Sequence, residues 1–117
     1  MRLIVLPGDG IGPEIVEAST QVLRAACKKH QIDLSLDYED AGFASLEKYG
    51  TTLRSEVLEA ARGYDGIILG TQSHMDYPPV EKGGRNLSAG FRIGLDLYAT
   101  VRPARTRPFL GRGAPGM

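Results

Sequence analysis

The sequence predicts an α/β fold with a mostly parallel sheet and helices on both of its faces. Two short apolar runs, residues 2–6 and 65–70, have the composition of buried strands. Residues 32–39 alternate apolar and polar side chains, which predicts a third, half-buried strand. Segments with helical spacing separate these strands, and such an alternation along a chain is typical of parallel sheets.

The first strand ends at Pro7, where the glycine-rich segment PGDGIGPE begins. Gly8, Gly10 and Gly12 permit backbone conformations that other residues avoid, and Pro13 suits the first turn of a helix. Five apolar residues are predicted to form the buried face of that helix: Ile15, Val16, Val22, Leu23 and Ala26. The G-x-G-x-G spacing differs from the G-x-G-x-x-G of a Rossmann turn, so the loop does not predict a Rossmann domain.

Two helices are predicted between the second and third strands. Residues 41–49 have a weak helical pattern, and residues 53–61 have a clearer one that Gly63 ends. The strand at 65–70 leads into a loop, residues 71–86, that is rich in Gly, Pro and polar side chains. Ligands bind beyond the carboxyl ends of the strands in open α/β sheets, so this loop is a candidate binding segment.

The last part of the chain places two arginines, Arg92 and Arg102, ten residues apart. Residues 88–95 predict a short amphipathic helix on which Ser88 and Arg92 share a face, and residues 97–101 predict a strand. A helix leading into a strand would bring both guanidinium groups towards one pocket. Their planar donor forks suit a di- or tricarboxylate. The alternative is that both arginines are solvated surface residues.

Composition limits the possible functions only loosely. The 117 residues make one domain at most, and 14 basic residues balance 14 acidic ones. This balance indicates neither a nucleic-acid partner nor a membrane surface. Cys27 is the single cysteine, which excludes an internal disulfide and favours a reducing, cytoplasmic location. No apolar run approaches the ~20 residues that span a bilayer.

Five motifs, in order, carry a family resemblance: PGDGIGPEI, DGIILG, DYPP, GGRNLSAGFR and LDLYATVRPAR. Together they resemble the isocitrate and isopropylmalate dehydrogenase family, the β-decarboxylating hydroxyacid dehydrogenases. The resemblance covers nearly the whole chain. It implies an isopropylmalate dehydrogenase-like sheet that is incomplete here, with residues 1–117 forming the N-terminal part of a longer enzyme.

The resemblance also assigns roles to residues. The cofactor contacts that it implies, for NAD or NADP, are Gly10, Ile11, Gln72, Ser73 and His74. The substrate contacts that it implies are Arg92 and Arg102 on the carboxylates, and Ser88 and Asn86 facing the variable part of the substrate. The proton-transfer residues and the ligands of Mg²⁺ or Mn²⁺ are expected outside this segment, so no catalytic or metal-binding residue is assigned within it.

The implied chemistry is oxidation of a small 2-hydroxy di- or tricarboxylate by hydride transfer to NAD(P)⁺, usually with loss of CO₂, in a homodimeric parent enzyme. The chain alone is expected to be inactive. The small, polar turn at residues 86–89 favours isocitrate, tartrate or malate over isopropylmalate, unless Leu87 turns into the pocket. The alternative from another class is a non-catalytic α/β module that binds a carboxylate or a nucleotide.

Overall fold

A computed structural model describes residues 1–105, and their centre is a three-stranded parallel sheet in the order β2-β1-β3. The strands are β1 Arg2–Gly8, β2 Ser35–Tyr38 and β3 Gly66–Thr71. On one side of β1, residues 2–5 pair with 35–38, and on the other side residues 3–8 run beside 66–71. The predicted α/β class with a parallel sheet is therefore confirmed.

Four α-helices surround this sheet in the described part of the chain. They are α1 Gly12–Lys29, α2 Phe43–Tyr49, α3 Ser55–Ala61 and α4 Leu87–Gly94, with two 3₁₀ turns at His74–Asp76 and Val80–Lys82. Pro lies in the first turn of α1, and Lys28 and Lys29 lie in its last turn, where they complement the helix dipole. None of these helices combines the length and the apolar character needed to cross a bilayer.

The two faces of β1 are covered by different helices. Ile4 and Leu6 belong to a buried cluster with residues of α3 and α4, among them Val57 and Phe91. Val5 is also fully buried, but alternation along a strand turns it to the opposite face. Helix α1 packs against β1 and β3 and contributes nothing to the cluster around Ile4. Helices thus cover both faces of the sheet.

The buried face of α1 differs from the predicted one. Val16, Thr20 and Cys27 are buried, whereas Val22 is 70% exposed and Ile15 and Ala26 are exposed too. The prediction placed these three exposed residues on the same broad face as Val16 and Leu23. Within the described residues, the sheet covers only a narrower face with the spacing i, i+4 and i+11, so the prediction was wrong for part of the helix.

Strand β2 is shorter than predicted. The alternating pattern covers residues 32–39, but strand geometry is confined to Ser35–Tyr38. The chain makes a turn at Gln31, which has a φ of +55°, and β1 begins at Arg2 opposite Ser35. Residues 32–34 therefore have no β1 residue beside them to continue the ladder.

The strand predicted at residues 97–101 is not formed. These residues have no regular secondary structure, and the side chains of Tyr98 and Val101 are largely or fully exposed. These residues include types that favour strands, but a strand also needs a neighbouring strand for its backbone hydrogen bonds. Within residues 1–105 no strand pairs with this segment.

Candidate functional site

The glycine loop, residues 8–12, lies at the carboxyl end of β1. Gly8 has a φ of +77°, and a Cβ there would lie 2.0 Å from the carbonyl oxygen of Thr71, so only glycine fits. Gly10 also has a positive φ, +58°, but nothing lies within 4 Å of the position of its Cβ. Ile11 is 63% exposed. The loop thus exposes open backbone and one apolar side chain at the edge of the sheet where α/β proteins commonly bind ligands.

Asp9, in the middle of this loop, is buried and joins three segments of the chain. Its carboxylate accepts hydrogen bonds from the backbone N–H of Phe43 at 2.7 Å and from that of Ser73 at 3.1 Å. The hydroxyl of Tyr77 donates a third. Because each donor replaces part of the lost water, a carboxylate is tolerated in this buried position.

Tyr77 is held as a donor by its surroundings. Burial, and then the hydrogen bond to Asp9, raise the pKa of the Tyr77 hydroxyl well above its ordinary value. Its ring also packs edge-on against the ring of Phe43, with 5.1 Å between the centroids. Burial and the ring contact therefore place the Tyr77 hydroxyl as a donor to Asp9.

The loop after β3 carries the other three predicted cofactor contacts. Ser73 is half-buried and bound to Asp9, while His74 is exposed in the first 3₁₀ turn. Gln72 turns its side-chain oxygen towards α4, where it accepts from the N–H of Leu87 at 2.9 Å and of Ser88 at 3.5 Å. The side chain of Gln72 therefore links the candidate cofactor loop to the candidate substrate helix.

Helix α4 begins one residue earlier than predicted, at Leu87. Asn86 caps it, because the Asn86 side chain accepts from the N–H of Ala89 at 2.9 Å. Leu87 is fully buried in the core, and Ser88 is half-buried. The alternative in which Leu87 turns into a substrate pocket is therefore wrong, and the next residue of this turn, Ser88, remains partly accessible.

Arg92 and Arg102 have different surroundings within residues 1–105. Arg92 is exposed, and its Nε donates to the carbonyl oxygen of Ser88, 3.3 Å away, within α4. Arg102 is exposed in a segment without regular structure. The expectation that a strand would carry Arg102 towards Arg92 was wrong, since no strand forms there. A joint role in carboxylate binding stays a prediction.

A family model described as isocitrate/isopropylmalate dehydrogenase matches residues 2–116. The chain belongs to this family.

Curated relatives within this family are similar over almost the whole chain. The 3-isopropylmalate dehydrogenase of Lactococcus lactis subsp. lactis (strain IL1403) is 35% identical over 114 residues, which are 97% of this chain and 33% of that protein. The 3-isopropylmalate dehydrogenase of Pseudomonas putida is 37% identical over 111 residues, which are 93% of this chain and 31% of that protein. The chain thus spans about a third of the length of these relatives.

Solved structures of similar proteins agree with the fold. An isocitrate dehydrogenase from Methylococcus capsulatus matches with a TM-score of 0.67 and 33% identity over 83% of this chain and 26% of that one. A β-decarboxylating dehydrogenase from Thermococcus kodakarensis matches with a TM-score of 0.63 and 31% identity over 83% of this chain and 27% of that one. The predicted isopropylmalate dehydrogenase-like fold is confirmed.

Two open clefts in the described part of the chain lie away from the glycine loop. One, of about 500 Å³, lies at the amino end of β3 beside the end of α4. The other, of about 540 Å³, includes Arg54 and Arg85 in its lining. Neither cleft is lined by Arg92 or Arg102. Among residues 1–105, no group of three His, Cys, Asp or Glu side chains could hold a metal ion.

The sequence reasoning missed Asp9 and Tyr77 as parts of this site, and it missed the capping role of Gln72. The signal for Asp9 was its place between Gly8 and Gly10, directly after a buried strand. For Tyr77, separated from Asp9 by 68 positions, no local pattern indicated the contact.

Proposed function

We propose that this chain supplies the substrate-carboxylate arginines and part of the cofactor cleft of an NAD(P)-dependent, metal-dependent 2-hydroxyacid oxidoreductase. The observation that supports this proposal is the junction at the carboxyl ends of β1 and β3. There the glycine loop is fastened to the loop that begins at Gln72, and Gln72 in turn binds the amino end of α4. The two loops assigned to the cofactor and the helix that carries Ser88 and Arg92 are therefore connected by hydrogen bonds.

The cofactor half has the features that a dinucleotide needs. Gly10 leaves its backbone open, with nothing near the position of a Cβ, and Ile11 offers exposed apolar surface. His74 is exposed on the neighbouring loop. NAD or NADP, when bound there, would accept the hydride from the substrate carbon. The chain's own contribution is to orient this cofactor beside α4.

The substrate half is built from guanidinium groups and a hydroxyl. Arg92 and Arg102 would pair bidentately with carboxylates and so align the reacting C–H bond with the cofactor. The Ser88 hydroxyl, one turn before Arg92, would hydrogen-bond a polar group of the substrate. An isopropyl group there would leave it unpaired, at a cost of roughly 1–3 kcal/mol. We therefore favour isocitrate, tartrate or malate over isopropylmalate.

The proposed Mg²⁺ or Mn²⁺ site is assigned to residues outside this segment. The described residues lack a cluster of metal ligands, so Mg²⁺ or Mn²⁺ would be held by other residues of the enzyme. A divalent ion, when bound, polarises the substrate hydroxyl and the developing enolate. What the arginines and Ser88 add is binding and orientation.

The test is NAD(P)⁺ reduction by the protein that carries this segment, with Mg²⁺ or Mn²⁺ and each of the four hydroxy acids. Arg102→Ala should lower kcat/KM by about two to three orders of magnitude, since breaking a desolvated charge pair costs roughly 2–5 kcal/mol. Arg102→Lys should recover little, because an ammonium does not reproduce the planar fork. Arg24→Ala, on the exposed side of α1, is the matched control and should leave the kinetics unchanged.

Four outcomes would contradict the proposal. Near-normal kinetics of Arg102→Ala would make Arg102 a surface residue. Tight binding of a carboxylate or nucleotide without any NAD(P)⁺ reduction would favour the non-catalytic binding module. A preference for isopropylmalate, or a Ser88→Leu enzyme with its ranking of substrates unchanged, would contradict the assigned substrate class.

A further inference from the structure

Asp9 fastens the loop after β3 to the glycine loop through its main chain as well as its carboxylate. Its N–H donates to the carbonyl oxygen of Thr71 at 2.7 Å, and the Thr71 hydroxyl donates to the carbonyl oxygen of Asp9 at 2.5 Å. The carboxylate binds Ser73 and Tyr77 further along the same loop. One residue therefore holds the loop at its beginning and at its end.

We propose that Asp9 is a positioning residue that holds loop 72–77 in place and sets the opening between Ile11 and His74. The link to a dinucleotide rests on the proposed function. The role of Asp9 in holding loop 72–77 is independent of that function, because it follows from the hydrogen bonds of Asp9. A loop released from Asp9 would lose the fixed distance between the two surfaces that are assigned to the cofactor.

The carboxylate is specifically suited to this task. Its Oδ1 atom accepts from Phe43, while Oδ2 accepts from both Ser73 and Tyr77. An asparagine offers one acceptor oxygen and places an NH₂ group at the other position, where it would face a donor. Asp9→Asn keeps the volume of the side chain but must lose the anchor to either α2 or loop 72–77.

The space around Asp9 leaves the carboxylate little freedom to shift. A Cβ on Gly42 would lie 2.3 Å from Oδ1 of Asp9, so the backbone before α2 is in close contact with the carboxylate. With 6% of its surface exposed, Asp9 cannot replace a lost donor readily by bulk water. Removing one acceptor should therefore loosen the loop rather than be compensated locally.

A second carboxylate–tyrosine pair provides the matched control. The Tyr64 hydroxyl donates to Oδ2 of Asp37 at 2.8 Å, and Arg2 lies 3.3 Å from the same oxygen. Tyr64 precedes β3 and Arg2 begins β1, so this pair lies towards the amino ends of the strands, away from loop 72–77. Asp37→Asn makes the same chemical change outside the proposed site.

The experiment compares Asp9→Asn, Tyr77→Phe and Asp37→Asn with the wild type in the full 117-residue chain. Amide hydrogen exchange is measured by NMR well below the unfolding temperature, with Ser73 and Phe43 as the reporters and Val5 of β1 as the global reference. Dissociation constants for NAD⁺ and NADP⁺ are measured by calorimetry under the same conditions.

For Asp9→Asn we expect the N–H that loses its acceptor, that of Ser73 or that of Phe43, to exchange at least tenfold faster while that of Val5 is little changed. Release of Ser73 should raise the nucleotide dissociation constant at least tenfold. Tyr77→Phe should shift the exchange of Ser73 and the dissociation constant in the same direction by less, and Asp37→Asn should change neither. If Asp9→Asn does not fold, Tyr77→Phe alone carries the comparison, because it removes a single donor.

Equal acceleration of Ser73 and Val5 would reduce Asp9 to a general stabilising residue and overturn the proposal. Faster exchange at Ser73 with an unchanged nucleotide dissociation constant would overturn its role in setting the opening. A wild-type chain that binds neither nucleotide, with Ser73 still released in Asp9→Asn, would support the fastening and count against the proposed function.

Discussion

The loops around Asp9 and the segment from Arg92 to Arg102 are organised in opposite ways. The glycine loop and loop 72–77 are joined by several hydrogen bonds, and Asp9 is buried at their centre. Beyond α4, by contrast, Tyr98 and Val101 are exposed, and residues 97–105 have no regular secondary structure.

This contrast shows which part of the candidate site is held together by contacts within residues 1–105. The orientation of the candidate cofactor loops is set by hydrogen bonds of the Asp9 carboxylate and of Thr71. Arg92 and Arg102 are presented to solvent, where an ion pair with a carboxylate is weak, whereas a covered, low-dielectric pocket strengthens it severalfold. The following substitutions test this difference in organisation between the two regions.

The largest effect is expected on the buried face of α4. Phe91→Ala should lower the free energy of unfolding by about 3–5 kcal/mol, because Phe91 lies in the core with Ile4 and Leu6 and its removal leaves a cavity. Ile93→Ala is the control, since Ile93 is 80% exposed and should change stability by less than about 0.5 kcal/mol. Denaturant unfolding measures both. Similar losses would mean that α4 is not anchored through Phe91.

The next effect tests the close packing against Asp9. Gly42→Ala should cost about 2–4 kcal/mol of stability, because the φ of Gly42 is +70° and an added Cβ would overlap the Asp9 carboxylate. Gly50 has a similar φ, +75°, but its ψ of 10° places it in the left-handed helical region, whereas the ψ of Gly42 is −143°. Open space surrounds Gly50, so Gly50→Ala should cost only the roughly 1–2 kcal/mol of a left-handed residue, and the larger cost at Gly42 combines a less accessible backbone conformation with the overlap on Asp9. Thermal unfolding of the two variants gives the difference. Equal shifts would contradict the packing around Asp9.

A smaller effect concerns the link between the two regions. Gln72→Met should cost about 1–2 kcal/mol, because it removes the acceptor for the N–H groups of Leu87 and Ser88. Gln72→Glu keeps an acceptor and adds a negative charge near the positive end of α4, so it should retain stability. The stabilities of the two variants and of the wild type are compared by their denaturant midpoints. A Gln72→Glu variant as unstable as Gln72→Met would show that the capping contact does not matter.

The smallest effect is a pH dependence outside both regions. The Tyr64 hydroxyl, and then Arg2, hold the pKa of Asp37 below its ordinary value near 3.8. A lowered folded-state pKa stabilises the protein at pH values above the unfolded-state value, and that stabilisation is lost as the pH falls through the folded-state pKa. Between pH 6 and pH 2, Asp37→Asn should therefore lose stability less steeply than the wild type.

The control for this pH series is Asp33→Asn, because the Asp33 carboxylate accepts no hydrogen bond from the described residues. Denaturant midpoints are measured at each pH for the wild type and both variants. An acid-induced loss in Asp37→Asn as steep as in the wild type would contradict the assigned role of Asp37.

Local patterns in the sequence determined the class of fold and the outline of the site. Apolar runs predicted β1 and β3, glycine spacing placed an open loop after β1, and the amphipathic pattern of residues 88–95 predicted α4. The order of the motifs indicated the family. These features depend on neighbours within a few positions, so they can be recognised before any tertiary contact is known.

Only the tertiary structure decided how the site is held together. The donors to the Asp9 carboxylate come from residues that are 34, 64 and 68 positions away. The exposed side of α1 and the missing strand at 97–101 likewise depended on which elements lie alongside them. Periodicity reports which side chains can be buried, but burial and hydrogen bonding need a partner, and partners distant in sequence are brought together only by the fold.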